Sequence, residues 1–426
     1  MRPFVGRPLY IDVRGPVVRC AACMGMCPRH SVASVLRGRV LGWCLVVVLA
    51  VAGCGGTTHV SPSNVSRLDR QVAPELAHKL QGVLDQQREF FELPGAAAAL
   101  VIPGVGRWSG GSGVADRRTG TRVTGRTTFA IASITKAFVG ALALKLAQER
   151  RLSLEEPLSR TLPRWPYADR ITLRHLLAQT SGVSHLRGRY ESALLRAIDR
   201  DPGAYWSPRR VLSYARRPSF APGERWEYNN ANYLLAGLVL EHATREPVAA
   251  ALRREILDPL GLRDVVLQPQ ERPKAGAAHG YGTSVGGQRE HDLTDGSGLV
   301  PYRSAASSAW TAGGMVASAP SVAKFGDAVL RGELLGRAAR QQMTDFQDTG
   351  GGPGYGSYAL GMGQIYSNRL SGLVWAAVGD FPGFGSTLAH LPGKGITVAV
   401  LANRSDSMPL TQAIAEALIQ TATDAP

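Results

Sequence analysis

An α/β sheet domain interrupted by a helical domain is the fold class this sequence predicts. Three observations carry it. Strand patterns stand at both ends of the body, near residues 95–114 and 372–401. A helical pattern flanks each set, and the stretch between, about 150–298, reads as helix and loop rich in Pro and Arg.

The elements follow in chain order. Residues 1–53 form a leader. Arg37 and Arg39 precede an apolar run from Val40 to Ala52, which ends in Val51-Ala52-Gly53-Cys54. A basic flank, a dozen apolar residues and small residues at the cut describe a secretory signal peptide. The run falls short of the roughly 20 apolar residues that a membrane span requires. Residues 1–34 are foreign to such a leader, and a translation start near Met26 or Val35 accounts for them. Residues 54–67 read as a polar tether. The body, 68–424, opens with a helical pattern to Phe91 on Leu76, Leu80 and Leu84. Two strands follow, Gly95–Ile102 and Trp108–Val114, and then an amphipathic helix over Ile131–Glu149. At the far end, strands are expected at Gly372–Val378, Ser386–Leu391 and Ile396–Leu401, closed by a helix at Pro409–Ile419.

Composition narrows the function. The chain has 426 residues, 44% of them hydrophobic, enough for a substantial core. Its formal charge is +15, of which the leader supplies +6 through seven arginines against Asp12. The remaining +9 is scattered, with no basic stripe carrying interleaved aromatics, so nucleic acid is not an expected partner. All five cysteines lie at or before Cys54, so the body has no disulfide to form. Cys20, Cys23 and Cys27 lack a fourth ligand set, and the body's histidines show no pair at metal spacing; neither metal nor cofactor is expected.

The chemistry rests on two segments. Ser133-Ile-Thr-Lys136 opens the helix after the second strand, and three residues on a helix place Ser133 and Lys136 on one face. A serine hydroxyl needs a base before it attacks, and a desolvated lysine can serve. Tyr228-Asn229-Asn230 follows about a hundred residues later. A tyrosine near a cationic lysine can reach the phenolate and take the serine proton, so Tyr228 is the expected base; Asn230 can orient the lysine.

Phe129-Ala-Ile-Ala-Ser133-Ile-Thr-Lys136 resembles the active-site segment of the serine β-lactamase-like family of class C β-lactamases, D-alanyl-D-alanine carboxypeptidases and family VIII esterases. Leu152-Ser-Leu-Glu-Glu-Pro157, Ile171 to Gly182, Phe220 to Asn230, Ile256 to Leu262 and Gly383-Phe-Gly-Ser386 resemble its framework, in its order. The small-residue run before Cys54 likewise resembles a lipobox, which implies lipidation of Cys54. The family resemblance implies a β-lactamase/transpeptidase-like fold: an antiparallel sheet flanked by helices, with an all-α insertion at about 150–298. It also implies an acyl-enzyme at Ser133, proton traffic shared by Lys136 and Tyr228, and Asn230 completing the second motif. The implied oxyanion hole is the backbone N–H of Ser133 and of Asp380.

The third motif departs from the family. Counting back from Gly383 places it at Ala377-Val378-Gly379, where relatives have a Lys or His, a small or hydroxyl residue, and Gly. Losing the cation removes a charge-assisted contact to a substrate carboxylate, worth about 1.5–3 kcal/mol. An arginine from the helical insertion could replace it. The leading expectation is therefore an esterase-like serine hydrolase acting on an ester or amide. The alternatives are a D,D-peptidase or penicillin-binding protein acting on cell-wall peptides, and a catalytically inactive envelope binding module. A monomer held outside the cytoplasm, on the membrane through lipidated Cys54, completes the expectation.

Overall fold

The computed structural model describes residues 70–425 except 185–188, 216–217, 275, 284–288 and 351–353. The leader, Cys54 and the tether lie outside the described residues.

Nine strands form one sheet: β1 (Gly95–Ile102), β2 (Gly106–Asp116), β3 (Thr121–Arg122), β4 (Gln347–Asp348), β5 (Ser357–Tyr358), β6 (Gly363–Ser367), β7 (Gly372–Phe381), β8 (Phe384–Leu391) and β9 (Ile396–Ala402). Their order is β3-β2-β1-β9-β8-β7-β6-β5-β4, and every pairing is antiparallel. The first and last thirds of the chain thus meet at the centre, where Ala99 faces Ala399.

The larger helices are α1 (Pro74–Phe90), α2 (Thr135–Gln148), α3 (Arg189–Arg200), α4 (Asn230–Thr244), α5 (Arg303–Gly313), α6 (Ala319–Arg331) and α7 (Met408–Thr423). The pleat of β1 explains how they cover the sheet. Ala96, Ala98 and Leu100 face a core holding Leu80 and Leu84 of α1 and Leu418 and Ile419 of α7. Ala97, Ala99 and Val101 face the opposite core, with α2 and α6. Strands covered on both faces read as continuous apolar runs, as Gly95–Ile102 does. Each fully buried leucine in these layers contributes about 1.5–3 kcal/mol.

Four boundaries or assignments differ from expectation. Helix α1 begins at Pro74, because a fixed proline φ and a missing N–H suit the first helical turn. The strands run longer, β7 to Phe381 and β8 from Phe384. Helix α2 is not amphipathic: every residue from Thr135 to Leu144 is buried, sandwiched between the sheet and the helical half. The insertion is not purely helical either. Val266–Leu267 pairs with Met315–Ser318, which also holds Thr128–Ala130, and Tyr281–Gly282 pairs with His291–Asp292. Two-residue strands are too short to leave an alternating signal.

Candidate active site

Ser133 sits in a 3-10 turn, Ala132–Ile134, that leads straight into α2. It alone is not fully buried between Phe129 and Leu144. The turn is fixed from two sides. Ser386 on β8 donates to the Ile131 carbonyl at 2.8 Å, and the Ile131 N–H bonds Met315 at 3.0 Å. Ala132 is forced to φ +47°, a left-handed conformation that costs a residue with a Cβ about 1–2 kcal/mol. The surrounding contacts hold it there and leave the serine facing out.

Lys136 is buried one turn on. Its Nζ lies 2.9 Å from Ser133 Oγ, 2.8 Å from Asn230 Oδ1 and 2.6 Å from the carbonyl oxygen of Ala312. Burial lowers this amine to about 7. The Ala312 carbonyl is available because α5 is broken at Trp310, at φ 36° and ψ −122°, leaving a terminal carbonyl without a helical partner.

Tyr228 donates to Ser133 Oγ from the other side, at 2.8 Å. Its ring packs among Trp226 and Tyr358, and Lys136 Nζ stands 4.9 Å from its centroid. Burial pushes the phenol well above its ordinary value, and the hydrogen bond to Ser133 offsets only part of this. The side chain keeps some solvent contact, which tempers the push. The sequence pointed to Tyr228 as base through a cationic lysine. In the structure burial moves the two groups the other way: the amine sheds its proton readily and the phenol keeps its own.

Tyr228 and Asn230 are placed by Gln179, which lies in the segment Ile171 to Gly182. Gln179 is wholly buried, and its Oε1 accepts from the Asn229 N–H at 3.0 Å and Asn232 Nδ2 at 2.6 Å. Its carbonyl takes the Glu227 N–H at 2.9 Å. Asn229 then caps α4, accepting from the Ala231 N–H at 3.0 Å, which leaves Asn230 in the first turn facing Lys136. Only the segment's position before Thr-Ser-Gly could have hinted at Gln179.

The third motif lies beside the nucleophile. A Cβ at Gly379 would meet the Ile131 carbonyl oxygen at 2.7 Å and the Ala132 Cβ at 2.8 Å, so only glycine lets β7 approach this closely. The pairing of β6 with β7 ends at Gly363 opposite Ala376. Beyond it the edge is open. The Val378 N–H points there and donates to Tyr355 Oη at 3.0 Å. Asp380, two residues on, presents its N–H on the same edge. Ala377 and Val378 are buried and offer no polar side chain.

A cavity of about 750 Å³ opens on Ser133, Asn230 and Asp380. Leu194, Leu195 and Ile198 of α3 and Leu234 of α4 form an apolar wall. Among the described residues no lysine or arginine lines it, so none of them supplies the compensating cation. Asp292 at its rim belongs to a group with Asp116 and His279 whose ligand atoms lie within 4.8 Å of one another. Histidine spacing in sequence could not reveal this trio. Its oxygens are already engaged: His279 Nδ1 bonds Asp292 at 2.6 Å, while Asp116 accepts from the Arg118 N–H and from Thr119 Oγ1.

Comparisons with known proteins bear on the family and the fold. Residues 81–423 match the family model described as Beta-lactamase. Esterase EstB of Burkholderia gladioli is 34% identical over 209 residues, 45% of this chain and 52% of that protein. The chain's matches thus span about half the length of such curated relatives. Among solved structures, D-amino acid amidase of Ochrobactrum anthropi SV3 superposes with a TM-score of 0.71 at 23% identity, covering 82% of this chain and 99% of that one. A D-stereospecific amidohydrolase from Streptomyces sp. gives 0.66 at 26% identity, covering 78% and 98%.

Proposed function

This chain belongs to the β-lactamase family, and from that premise we propose a serine hydrolase that cleaves an ester or amide through an acyl-enzyme at Ser133. One observation carries the reading: a buried lysine amine, lowered to about 7, lies 2.9 Å from the serine oxygen.

A neutral amine has two N–H bonds and one lone pair. Asn230 Oδ1 and the Ala312 carbonyl take the two N–H bonds, which turns the lone pair toward Ser133. Lys136 accepts the hydroxyl proton as Oγ bonds to the substrate carbonyl carbon. The backbone N–H groups of Ser133 and Asp380 hold the developing oxyanion. As the bond to the leaving group breaks, Tyr228 gives that group its proton and regains one from Lys136, so the acyl-enzyme forms with the amine neutral again. Water then reverses the sequence and releases the acid.

An esterase-like or amidase-like activity suits this site better than β-lactam or D-Ala recognition. No basic residue stands at Ala377 to bind a carboxylate, and none elsewhere on the described lining. The intact geometry at Ser133 argues against a retired envelope binding module. The esterase and amidohydrolase names among the similar proteins lend support. The protein is further proposed to work as a monomer outside the cytoplasm, tethered through a lipidated Cys54, on the strength of the leader pattern alone. Intact mass after reaction with a fluorophosphonate, a fluorescent penicillin and a short-chain activated ester tests the catalytic reading. One adduct per chain is expected, absent in Ser133→Ala; an equal adduct in the variant refutes it. Mass analysis of the native N-terminal peptide tests the anchor, with diacylglycerol on Cys54 expected and an unmodified thiol overturning it.

A further inference from the structure

The edge of β7 beside Ser133 is unpaired but not empty. Strand β6 begins at Gly363, opposite Ala376, and the turn before it packs Gly361 against α2, where a Cβ would meet the Lys136 carbonyl oxygen at 2.7 Å. Past Ala376, Val378 and Asp380 turn their N–H groups to the same side. The Asp380 N–H is the one expected to hold the oxyanion, whereas the Val378 N–H is already taken by Tyr355 Oη at 3.0 Å. Tyr355 is built into this place. Its ring reaches across Gly363, where a Cβ would overlap it, and stands edge-on to Tyr358 with centroids 5.3 Å apart. Its own carbonyl accepts from Thr349 Oγ1 at 2.8 Å, and the Gly356 N–H that follows bonds the Gln364 carbonyl at 3.0 Å. Tyr355 and Val378 are buried together in a cluster against which Tyr228 packs. The cavity, by contrast, is lined by Ser133, Asn230 and Asp380 but by none of Tyr228, Tyr355 and Val378.

We propose that Tyr355 determines leaving-group specificity: by holding the Val378 N–H it closes the strand edge to a peptide leaving group and admits a small one. The inference rests on the acyl-transfer reading above and adds the residue that decides what departs. An extended peptide that lies along a sheet edge uses the edge N–H groups in turn. With its reacting carbonyl at Asp380, an antiparallel peptide brings the carbonyl two residues further on to Val378. Those two residues follow the scissile bond, so they belong to the leaving group. Tyr228, the proton donor to the leaving group, packs in the same cluster as Tyr355, which puts departure on this side. There the phenol oxygen stands where the peptide carbonyl would accept, and the ring fills the space the peptide would cross. Occupying a competitor's hydrogen-bond partner and its volume is a direct way to reject it. A small alcohol reaches Tyr228 without entering that space.

Two measurements test this with two esters of phenylacetic acid. One is the methyl ester; the other is the ester of N-lactoylalaninamide, whose terminal amide carbonyl is the one Val378 would hold. In the first, kcat/KM is divided by each ester's rate of alkaline hydrolysis. The methyl ester should lead by about tenfold or more in the wild type, and Tyr355→Ala should move the ratio at least tenfold toward the lactoylalaninamide ester. Tyr355→Phe fills the same space, so its ratio should stay within about threefold of wild type. A merely loosened fold would slow both esters together and leave the ratio where it was. In the second, Ser133→Ala protein is titrated calorimetrically with both esters. Adding Tyr355→Ala should tighten the lactoylalaninamide ester at least tenfold relative to the methyl ester. A wild type that uses both esters equally, or ratios unmoved by Tyr355→Ala, overturns the proposal, and the wild-type comparison decides even if that variant does not fold. Because the titration needs no catalysis, the expected shift in binding without covalent labelling of Ser133 would instead refute the acyl-transfer reading alone.

Discussion

The two walls of the cleft differ in how they are built. On the wall formed by α2, α4 and α5, each polar atom of the reacting group is met by another: Ser133, Lys136, Tyr228, Asn230 and the Ala312 carbonyl close one network. On the wall formed by β7, the backbone keeps its place while the side chains have changed. Gly379 still permits contact with the nucleophile's turn and Asp380 still offers its N–H, but Ala377 and Val378 are apolar. Chemistry and recognition therefore sit on separate elements, and one can be altered without the other. What reacts is set by helices; what is admitted is set by a strand edge.

The largest break in this comparison comes from the helical wall. Ser133→Ala should lower ester hydrolysis by at least about three orders of magnitude, since members of a nucleophile–base unit act together. Circular dichroism should show the fold retained, and an unchanged rate would place the nucleophile elsewhere. Tyr228→Phe should cost about 10²- to 10³-fold in kcat, the usual scale for one proton-transfer partner, with KM little altered. If Tyr228 were the base instead, removing it should cost as much as removing Lys136.

The charge state of Lys136 sharpens the contrast through pH. With the amine as base, kcat/KM should rise with pH along a limb centred near 7. Stability carries the same signature. The amine's folded value lies below its unfolded value of about 10.4, so the unfolded chain binds more protons between those limits. Stability relative to Lys136→Met should therefore rise from pH 7 to 10, by up to about 4 kcal/mol, and that advantage should be lost as pH falls through 7. Chemical denaturation at both pH values measures it. A flat dependence between those pH values would mean a lysine that stays charged in the fold.

On the strand wall the effects are smaller. Ala377→Lys restores the family's cation and should speed acylation by a fluorescent penicillin about tenfold, within the worth of one charge-assisted contact. Tyr355→Phe leaves the buried Val378 N–H without its acceptor and should cost about 1–3 kcal/mol of stability with little change in ester turnover. A large loss of turnover there would show that the open edge of β7 depends on Tyr355 for its position.

How much of this was legible follows from sequence distance. Ser133 and Lys136 are three residues apart on one helix, and the spacing alone puts them together. The apolar runs of β1 and β9 announced strands because both faces are covered. Gln179, Tyr355 and the Ala312 carbonyl reach the site only through packing. Ala312 is 176 residues from Lys136, and a backbone carbonyl has no letter of its own in the sequence. The all-round burial of α2 was hidden for a related reason. Its alanines and leucines give the same pattern whether one face is covered or all of them, and only the layers around it decide.

The kink at Trp310 has a consequence for how the base is tuned. Helix α5 packs on α4 where Gly237 leaves room for Thr311 and Trp310; a Cβ there would meet Trp310 at 2.7 Å. Thr311 in that seam stands next to Ala312, whose carbonyl accepts from the buried Lys136. Alanine at position 237 is expected to press on Thr311 and Trp310 and shift the carbonyl that Lys136 holds, moving the amine's proton affinity, which the pH dependence of ester hydrolysis would read. The spacing of two helices thus acts as the dial on which the proton affinity of a third is set.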